Sequence, residues 1–314
     1  MITGTYVVKS DGKVIGEYKN FITANGLYVI NQFLAGQGRD WGGTIAIGTL
    51  NTVATASSTT NLQFEIARFP VILKSYSSSG AFNRQILKAT IDPAAAFNAY
   101  EIGVFPNRVD IETYLDNYKI TNFSETTSGS SNWLYANNSS VTLTSSSPSP
   151  RSGVYMVNLP VTTTTTTNTT YLTGLTLDSG PFTEVDNVQL SYYTFSAVPS
   201  ASISVIFGDS STPQNTWSSS TASVSSLTAS TFYSSSLVMQ TKPSTIVDPI
   251  INASVTFYGS SGSVALDHMK FVSGASLTND FQLVSRTISS TTASPLFSKN
   301  YSQPMDIEYY IQVT

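Results

Sequence analysis

The stretch MDIEYYIQVT (305–314) decides how the chain is organised. Met305, Ile307, Tyr309, Ile311 and Val313 fall on one side of a period-2 alternation, and Asp306, Glu308, Tyr310, Gln312 and Thr314 fall on the other. That pattern marks a strand with one buried face. A lone terminal strand cannot bury a face unaided. The segment before it, SVALDHMKFV (263–272), reads as the close of a separate β unit. The partners of 305–314 are therefore expected far back, in a domain begun near residue 1.

Working outward, residues 5–22 alternate around SDGK (10–13), where Asp11-Gly12 is a hairpin-turn signal. This predicts strands over Thr5–Lys9 and Lys13–Lys19. One helix is predicted in TANGLYVINQFLAG (23–36), with Thr23 or Asn25 as its cap and Gly36 as its stop. Leu27, Ile30, Phe33 and Leu34 recur at helical spacing and are expected to face the core. Next come TIAIGTL (44–50), a polar loop, LQFEIARFPVILKSY (62–76), QILKATID (85–92) and NAYEIGVFP (98–106).

The 314 residues suggest about two domains. Only 11% are charged, and Ser and Thr fill the polar positions in runs such as VTTTTTTNTT (161–170) and SSSTASVSSLTASTFYSSS (218–236). Val, Leu, Phe and Tyr recur between them, and β-branched Thr suits a pleated surface, so the runs read as strand faces and loops rather than disorder. The net charge is −4 with no basic cluster, which leaves no electrostatic footprint for nucleic acid. There is no cysteine for a disulfide, a thiolate metal site or a thiol nucleophile. No signal-peptide pattern opens the chain, and no apolar run approaches the ~20 residues that cross a bilayer. A soluble protein without membrane insertion is expected.

Several motifs carry a resemblance. IAIGT (45–49), the L-x-x-E-x-x-R set Leu62, Glu65 and Arg68, and EIGVF (101–105) stand in the order and spacing that resembles small virion proteins of tailed bacteriophages. Such proteins occur at tail tips, baseplates and fibre bases. In that family a segment like LVSRTISSTTASPLFSKNYSQPMDIEYYIQV (283–313), with Arg286, Pro295, Lys299, Met305 and Ile307, follows EIGVF closely. The resemblance implies a discontinuous, β-rich virion-attachment domain with one short helix, residues 1–110 plus 278–314, interrupted by an insert over 111–277. It implies a virion location, with other virion structural proteins as partners. A tail, baseplate or fibre position is expected, and capsid decoration is the alternative. A homo-oligomer, with a trimer as the plausible symmetry, is expected. The loop LNTVATASSTTN (50–61) is long and uncharged, and is expected to order against a neighbouring virion protein.

Within the insert, GVYMVNL (153–159), VQLSYYTF (188–195), ASISVIFGD (201–209), ASVTFYG (253–259) and SVALDHMKFV predict short strands separated by Ser/Gly/Pro/Asn loops, an antiparallel sandwich. The opening Asn122-Phe123 with Trp133 and the closing LDHMKF (266–271) resemble jelly-roll carbohydrate-binding modules. That resemblance implies first and last strands side by side, a bacterial surface glycan as partner, and Asp267 as a candidate calcium ligand. No other cofactor is expected.

Enzyme chemistry finds little support. His268 is the only histidine, no G-x-S-x-G elbow supplies a nucleophile, and H-E-x-x-H, EF-hand, Walker and G-x-G-x-x-G patterns are missing. A glycosidase needs two carboxylates about 5–10 Å apart. Glu125, Asp178, Glu184, Asp186, Asp209, Asp248 and Asp267 are present in the insert, and nothing in the sequence pairs them. A polysaccharide hydrolase is the rival to a non-enzymatic reading. Glu65, Arg68 and Glu101 are read as a structural ion-paired contact fixing the loop after IAIGT. Trp133 and Tyr135, two apart, share a strand face, and Trp217 in TPQNTWSSS (212–220) is expected exposed in a loop. These aromatics are the candidates for stacking on sugar rings, with sandwich-core packing as the other reading for Trp133 and Tyr135.

Overall fold

The computed structural model of the protein describes residues 2–37, 40–79, 82–106, 120–121, 133–135, 142–161, 169–177, 185–209, 216–241, 250–259, 262–273 and 282–313. In chain order these form β1 (Ile2–Ser10), β2 (Lys13–Lys19), β3 (Phe21–Ile22), α1 (Ala24–Leu34), β4 (Thr44–Gly48), β5 (Glu65–Pro70), β6 (Leu73–Ser79), β7 (Phe82–Ile91), β8 (Phe97–Ala99) and β9 (Glu101–Phe105). Then come β10 (Ile120–Thr121), β11 (Trp133–Tyr135), β12 (Leu143–Thr144), β13 (Met156–Val161), β14 (Thr169–Leu177), β15 (Val185–Thr194), β16 (Val198–Asp209), β17 (Thr216–Ser219) and β18 (Ala222–Leu227). The last are β19 (Thr231–Thr241), β20 (Ile250–Gly259), β21 (Gly262–Ser273), β22 (Ser285–Ile288), β23 (Phe297–Lys299) and β24 (Met305–Val313). The protein is mainly β, with antiparallel pairing and one helix among the described residues. It divides into two compact units, Met1–Val109 with Ser276–Thr314, and Asp110–Ala275.

In the first unit, the split domain, β24 runs between β1 and β7, from Ile2↔Val313 to Ser10↔Met305 on one side and Met305↔Ile91 to Gln312↔Arg84 on the other. The sheet order is β2-β1-β24-β7-β6. Met305, Ile307, Tyr309 and Ile311 are all buried. A second sheet, β3-β22-β9-β4-β5, and the pair β23-β8 complete the unit, so each of its sheets includes a strand from residues 282–313. Neither chain segment could satisfy its backbone alone. Tyr6 ties the two larger sheets: its hydroxyl lies 2.5 Å from Ser285 Oγ, and its ring packs on Tyr309 with centroids 4.7 Å apart.

Thr23 caps α1, its Oγ1 accepting from Gly26 N at 2.9 Å, and Gly36 closes the helix at φ +71. The expected buried stripe is corrected. Gly26, Val29 and Ile30 are buried, whereas Leu27, Phe33 and Leu34 are exposed, Leu34 by 72%. Close approach turned the helix. A Cβ on Gly26 would stand 2.0 Å from Val284 O, and Thr23 N donates to that same carbonyl at 3.0 Å. The backbone contact at the first turn selects the inward face, and Leu27, Phe33 and Leu34 of the stripe are left outside while Ile30 is buried.

The second unit is a jelly-roll sandwich. One sheet is β12-β13-β21-β15-β19, with β10 also on β21; the other contains β11, β14, β20 and β16, with β17 and β18 on β16. The two are linked where β17 pairs with β19. Val188, Leu190, Tyr192, Val205, Phe207, Phe257, Leu266 and Met269 belong to the core between them. β10 and β21, the first and last described strands of this unit, lie side by side through Ile120↔Lys270 and Thr121↔Met269.

Candidate functional site

Because strand residues alternate between faces, the core contacts of β15, β19 and β21 define which residues stand on the outer face of their sheet. Register orders that face into rows. Lys270, Gln189 and Ser236 form one, His268, Ser191 and Ser234 the next, and Ala265, Tyr193 and Phe232 the third. Ser234, Ser236 and Val238 are exposed, whereas Tyr193 and Phe232 are largely covered. The two rings pack at 4.9 Å between centroids, Phe195 stands 5.2 Å from Tyr193, and the guanidinium of Arg151 lies 4.2 Å over Phe232. Among the described residues, the Ser191 hydroxyl is buried without a hydrogen-bond partner. A strip of hydroxyl and amide groups therefore borders an aromatic shelf capped by a cation. Its accessible polar groups, Gln189, Ser234 and Ser236, can hydrogen-bond a polyhydroxylated ligand.

Beneath the shelf, a bulge in β21 between the partners of Ser191 and Tyr192 turns Asp267 and His268 off the regular alternation. Asp267 Oδ1 accepts from Arg151 N at 3.0 Å and Ser152 N at 3.3 Å. Burial pushes its carboxyl up to about 7, against those two N–H groups and the Arg151 charge. His268 Nδ1 lies 2.8 Å from Ser152 Oγ. Burial, with the Lys270 charge adding, pushes its imidazole down to about 3. The Asp267 carboxyl, accepting from two backbone amides, and the His268 ring beside the Ser152 hydroxyl form a fastening for residues 151–152. Among the described residues no group of three or more His, Cys, Asp or Glu gathers to hold a metal ion.

The sequence candidates lie elsewhere in the sandwich. Trp133 and Tyr135 are on β11, opposite Leu172 and Thr170 of β14, so they share a face of the other sheet; their side chains lie outside the described residues. Trp217 is corrected from loop to strand. It stands on β17 opposite Phe207, a core residue, because period-2 pairing overrides the polar composition of TPQNTWSSS; its side chain too lies outside the description. Glu125, Asp178, Glu184 and Asp248 fall outside the described residues, as do the side chains of Asp186 and Asp209. Sequence reasoning missed Tyr193, Phe232, Ser191 and Arg151. The signal available was SYYTF: with Tyr192 and Tyr193 adjacent on one strand, one of them had to leave the core.

In the split domain the three ion-pair candidates separate into two pairs. Arg68 makes bidentate bonds to Glu65 (2.7 and 2.6 Å), with its guanidinium 3.9 Å over the Phe105 ring. Glu101 instead pairs with Arg286, through Nε at 2.9 Å and Nη2 at 2.6 Å, both residues fully buried. Burial raises the Glu101 carboxyl, while Arg286 and the Gln63 and Phe64 amides pull it back. The Gly of IAIGT is required here, since a Cβ on Gly48 would stand 2.7 Å from Glu101 Oε1. Arg286 Nη1 also donates to Val53 O at 3.2 Å and Thr55 Oγ1 at 3.3 Å. Asn51 donates to Ser289 O and Thr291 O, and Ser57 O accepts from Ala24 N. The loop 50–61 is thus anchored within its own domain. Lys299 is likewise structural: its buried ammonium donates to the carbonyls of Pro93, Ala95 and Asn300 at 3.3, 3.1 and 2.6 Å.

No protein-family model matches the chain, and no curated protein matches it in sequence. Among solved structures, it is similar to a family 11 carbohydrate-binding module from Clostridium thermocellum in complex with a beta-1,3-1,4-mixed-linked tetrasaccharide, at 14% identity, over 50% of this chain and 95% of that one, with a TM-score of 0.34. It is similar to the C-terminal family 22 carbohydrate-binding module of Clostridium thermocellum Xyn10B at 12% identity, over 52% and 98%, with a TM-score of 0.34. The enzymatically active domain of bacteriophage CBA120 tailspike protein 4 matches at 16% identity, over 50% of this chain and 21% of that one, with a TM-score of 0.30. At these levels of identity and overlap, the function has to be argued from the residues of the chain itself.

Proposed function

We propose that the protein is a non-catalytic structural component of a tailed-phage virion, associated with the tail, baseplate or fibres, whose sandwich contacts bacterial surface glycans. The observation that carries the glycan reading is the outer face of β15, β19 and β21. There Gln189, Ser234 and Ser236 offer donors and acceptors on a surface whose aromatic residues, Tyr193 and Phe232, are packed beneath Arg151. The exposed Leu27, Tyr28, Phe33 and Leu34 of α1 support the assembly part, since an apolar helix face is stabilised when a neighbouring protein covers it. Repetition on one particle would raise weak contacts by ~10²–10⁴ in apparent affinity.

The test combines titration of purified bacterial surface polysaccharide with a variant that fills the face. Ser234→Trp places a bulky ring on an exposed strand position and is expected to weaken binding at least ~10-fold with the melting temperature unchanged. Undiminished binding by Ser234→Trp, with loss in Trp133→Ala or Tyr135→Ala, moves the site to the other sheet. Release of reducing ends from the same polysaccharide would replace the non-catalytic reading with a hydrolase. An averaged image of virions carrying the labelled protein separates a tail position from capsid decoration.

A further inference from the structure

The sheet β2-β1-β24-β7-β6 has a second face, away from its core. On β1, Thr3, Thr5, Val7 and Lys9 alternate with core residues Tyr6 and Val8, and opposite them on β24 stand Gln312, Tyr310, Glu308 and Asp306. Arg84 follows opposite Gln312 on β7, and Glu17 stands opposite Val7 on β2. A bulge between Val8 and Lys9 bends β1. The face holds a hollow of about 330 Å³, floored by Thr3, Thr5 and Val7 and walled by Glu17, Arg84 and Tyr310, with Lys9, Val14 and Gln312 at its border.

The polar groups of this hollow fall into two sets. Lys9 Nζ donates to both carboxylate oxygens of Glu308 at 2.7 Å, and the Tyr310 hydroxyl donates to the same carboxylate. Outside the hollow, Lys88 and Asp306 pair in the same cross-strand manner at 2.8 Å. This is how a solvated sheet face settles its charges. Arg84 and Glu17 do not follow it. Both are exposed, and among the described residues neither makes an ion pair or side-chain hydrogen bond; nor do the side chains of Thr3, Thr5 and Gln312. The hollow thus offers a guanidinium, a carboxylate, two hydroxyls and an amide that make no side-chain hydrogen bond among the described residues, the two charges acting on the Tyr310 hydroxyl through space.

Charge selects the ligand class. Lys9 is cancelled by Glu308, and Arg84 is offset by the opposite charge of Glu17, so a strong anion or cation gains at one end what it loses at the other. An uncharged molecule with many hydroxyls can use the guanidinium as donor, the carboxylate as acceptor and the floor as both. Val7, Val14 and the Tyr310 ring provide the apolar contact that a sugar ring's C–H face requires. The volume is at the small end of ligand sites. We propose that this hollow is a saccharide site of the split domain, taking an uncharged sugar of one or two rings, independent of the sandwich.

The full-length chain, isotopically labelled, is titrated with maltose, lactose and methyl glucoside, with glucuronic acid and glucosamine as charged controls, and chemical-shift changes are followed. At least one neutral sugar is expected to shift the amides around Thr5 and Tyr310. Arg84→Ala and Glu17→Ala are each expected to weaken that binding by roughly 10- to 100-fold, the loss of a hydrogen bond to a charged group. The melting temperature should stay put, because both side chains are exposed and neither is hydrogen-bonded among the described residues. Ser234→Trp should leave these shifts unchanged. No shift with any neutral sugar, binding confined to the charged controls, or full affinity retained in both Arg84→Ala and Glu17→Ala would each overturn the assignment.

Discussion

Asp267 and His268 titrate in opposite senses, and their adjacency gives the sandwich an unusual dependence on pH. Asp267 keeps its proton in the folded state up to about 7, whereas an unfolded aspartate loses it near 4. Between those values folding takes up a proton, so stability is full at low pH and falls as pH rises. His268 stays neutral in the folded state down to about 3, whereas an unfolded histidine is protonated below about 6.5. Between those values folding releases a proton, so stability falls as pH falls. From about pH 4 to 6.5 the two slopes oppose each other, each on the order of 1 kcal/mol per pH unit. The pair therefore contributes little net slope in that window. Asp267→Asn keeps an oxygen for the Arg151 and Ser152 amides and removes one titration. The sandwich should then gain stability with rising pH, by about 2–3 kcal/mol across the window. His268→Gln should show the reverse slope. The assay is calorimetry at half-unit pH steps, reading the transition that both substitutions displace. If Asp267→Asn leaves the pH profile of that transition unchanged, the buried carboxyl is not protonated in the folded state and the reasoning fails.

Two further outcomes follow from the split domain. Arg286→Ala leaves the Glu101 carboxylate buried without its partner and should cost about 3–5 kcal/mol by denaturant unfolding; Arg286→Met combined with Glu101→Gln should recover most of it. Deleting residues 54–58 removes the Thr55 contact to Arg286 and the Ser57 carbonyl that receives Ala24 N, and should destabilise the domain by about 2–4 kcal/mol, whereas a freely hanging loop would leave its melting temperature unchanged.

Much of the architecture could be read from local pattern. The alternation in 305–314, the SDGK turn, the Thr23 cap and the short strands of the sandwich are signals confined to a few neighbouring residues. What stayed hidden depends on partners distant in sequence. Glu101 and Arg286 are 185 residues apart, and no spacing rule connects them. The orientation of α1 was decided by Val284 approaching Gly26, which a hydrophobic stripe cannot report. Trp217 was misread because serine and threonine serve both loops and strand exteriors in this chain. For the outer face of the sandwich, the run SYYTF held the clue, but register with β19 and β21 was needed to bring Tyr193, Phe232 and Ser191 together.

The place of β24 has a consequence for synthesis. Lys9 and its partner Glu308 are 299 residues apart. At ~5–20 residues per second, about 15 to 60 s pass on the ribosome between the two. Throughout that interval the hairpin of β1 and β2 has no third strand, and its edge is open to wrong partners. The sandwich, contiguous in sequence, ends at Ser273, about 2 to 7 s before Glu308 is made, so it can start to fold while its host is still waiting. The later-made segment then closes all three sheets of the split domain at once. Translation speed and chaperone capture of the waiting hairpin, rather than final stability, would set the yield of correctly folded protein in the cell.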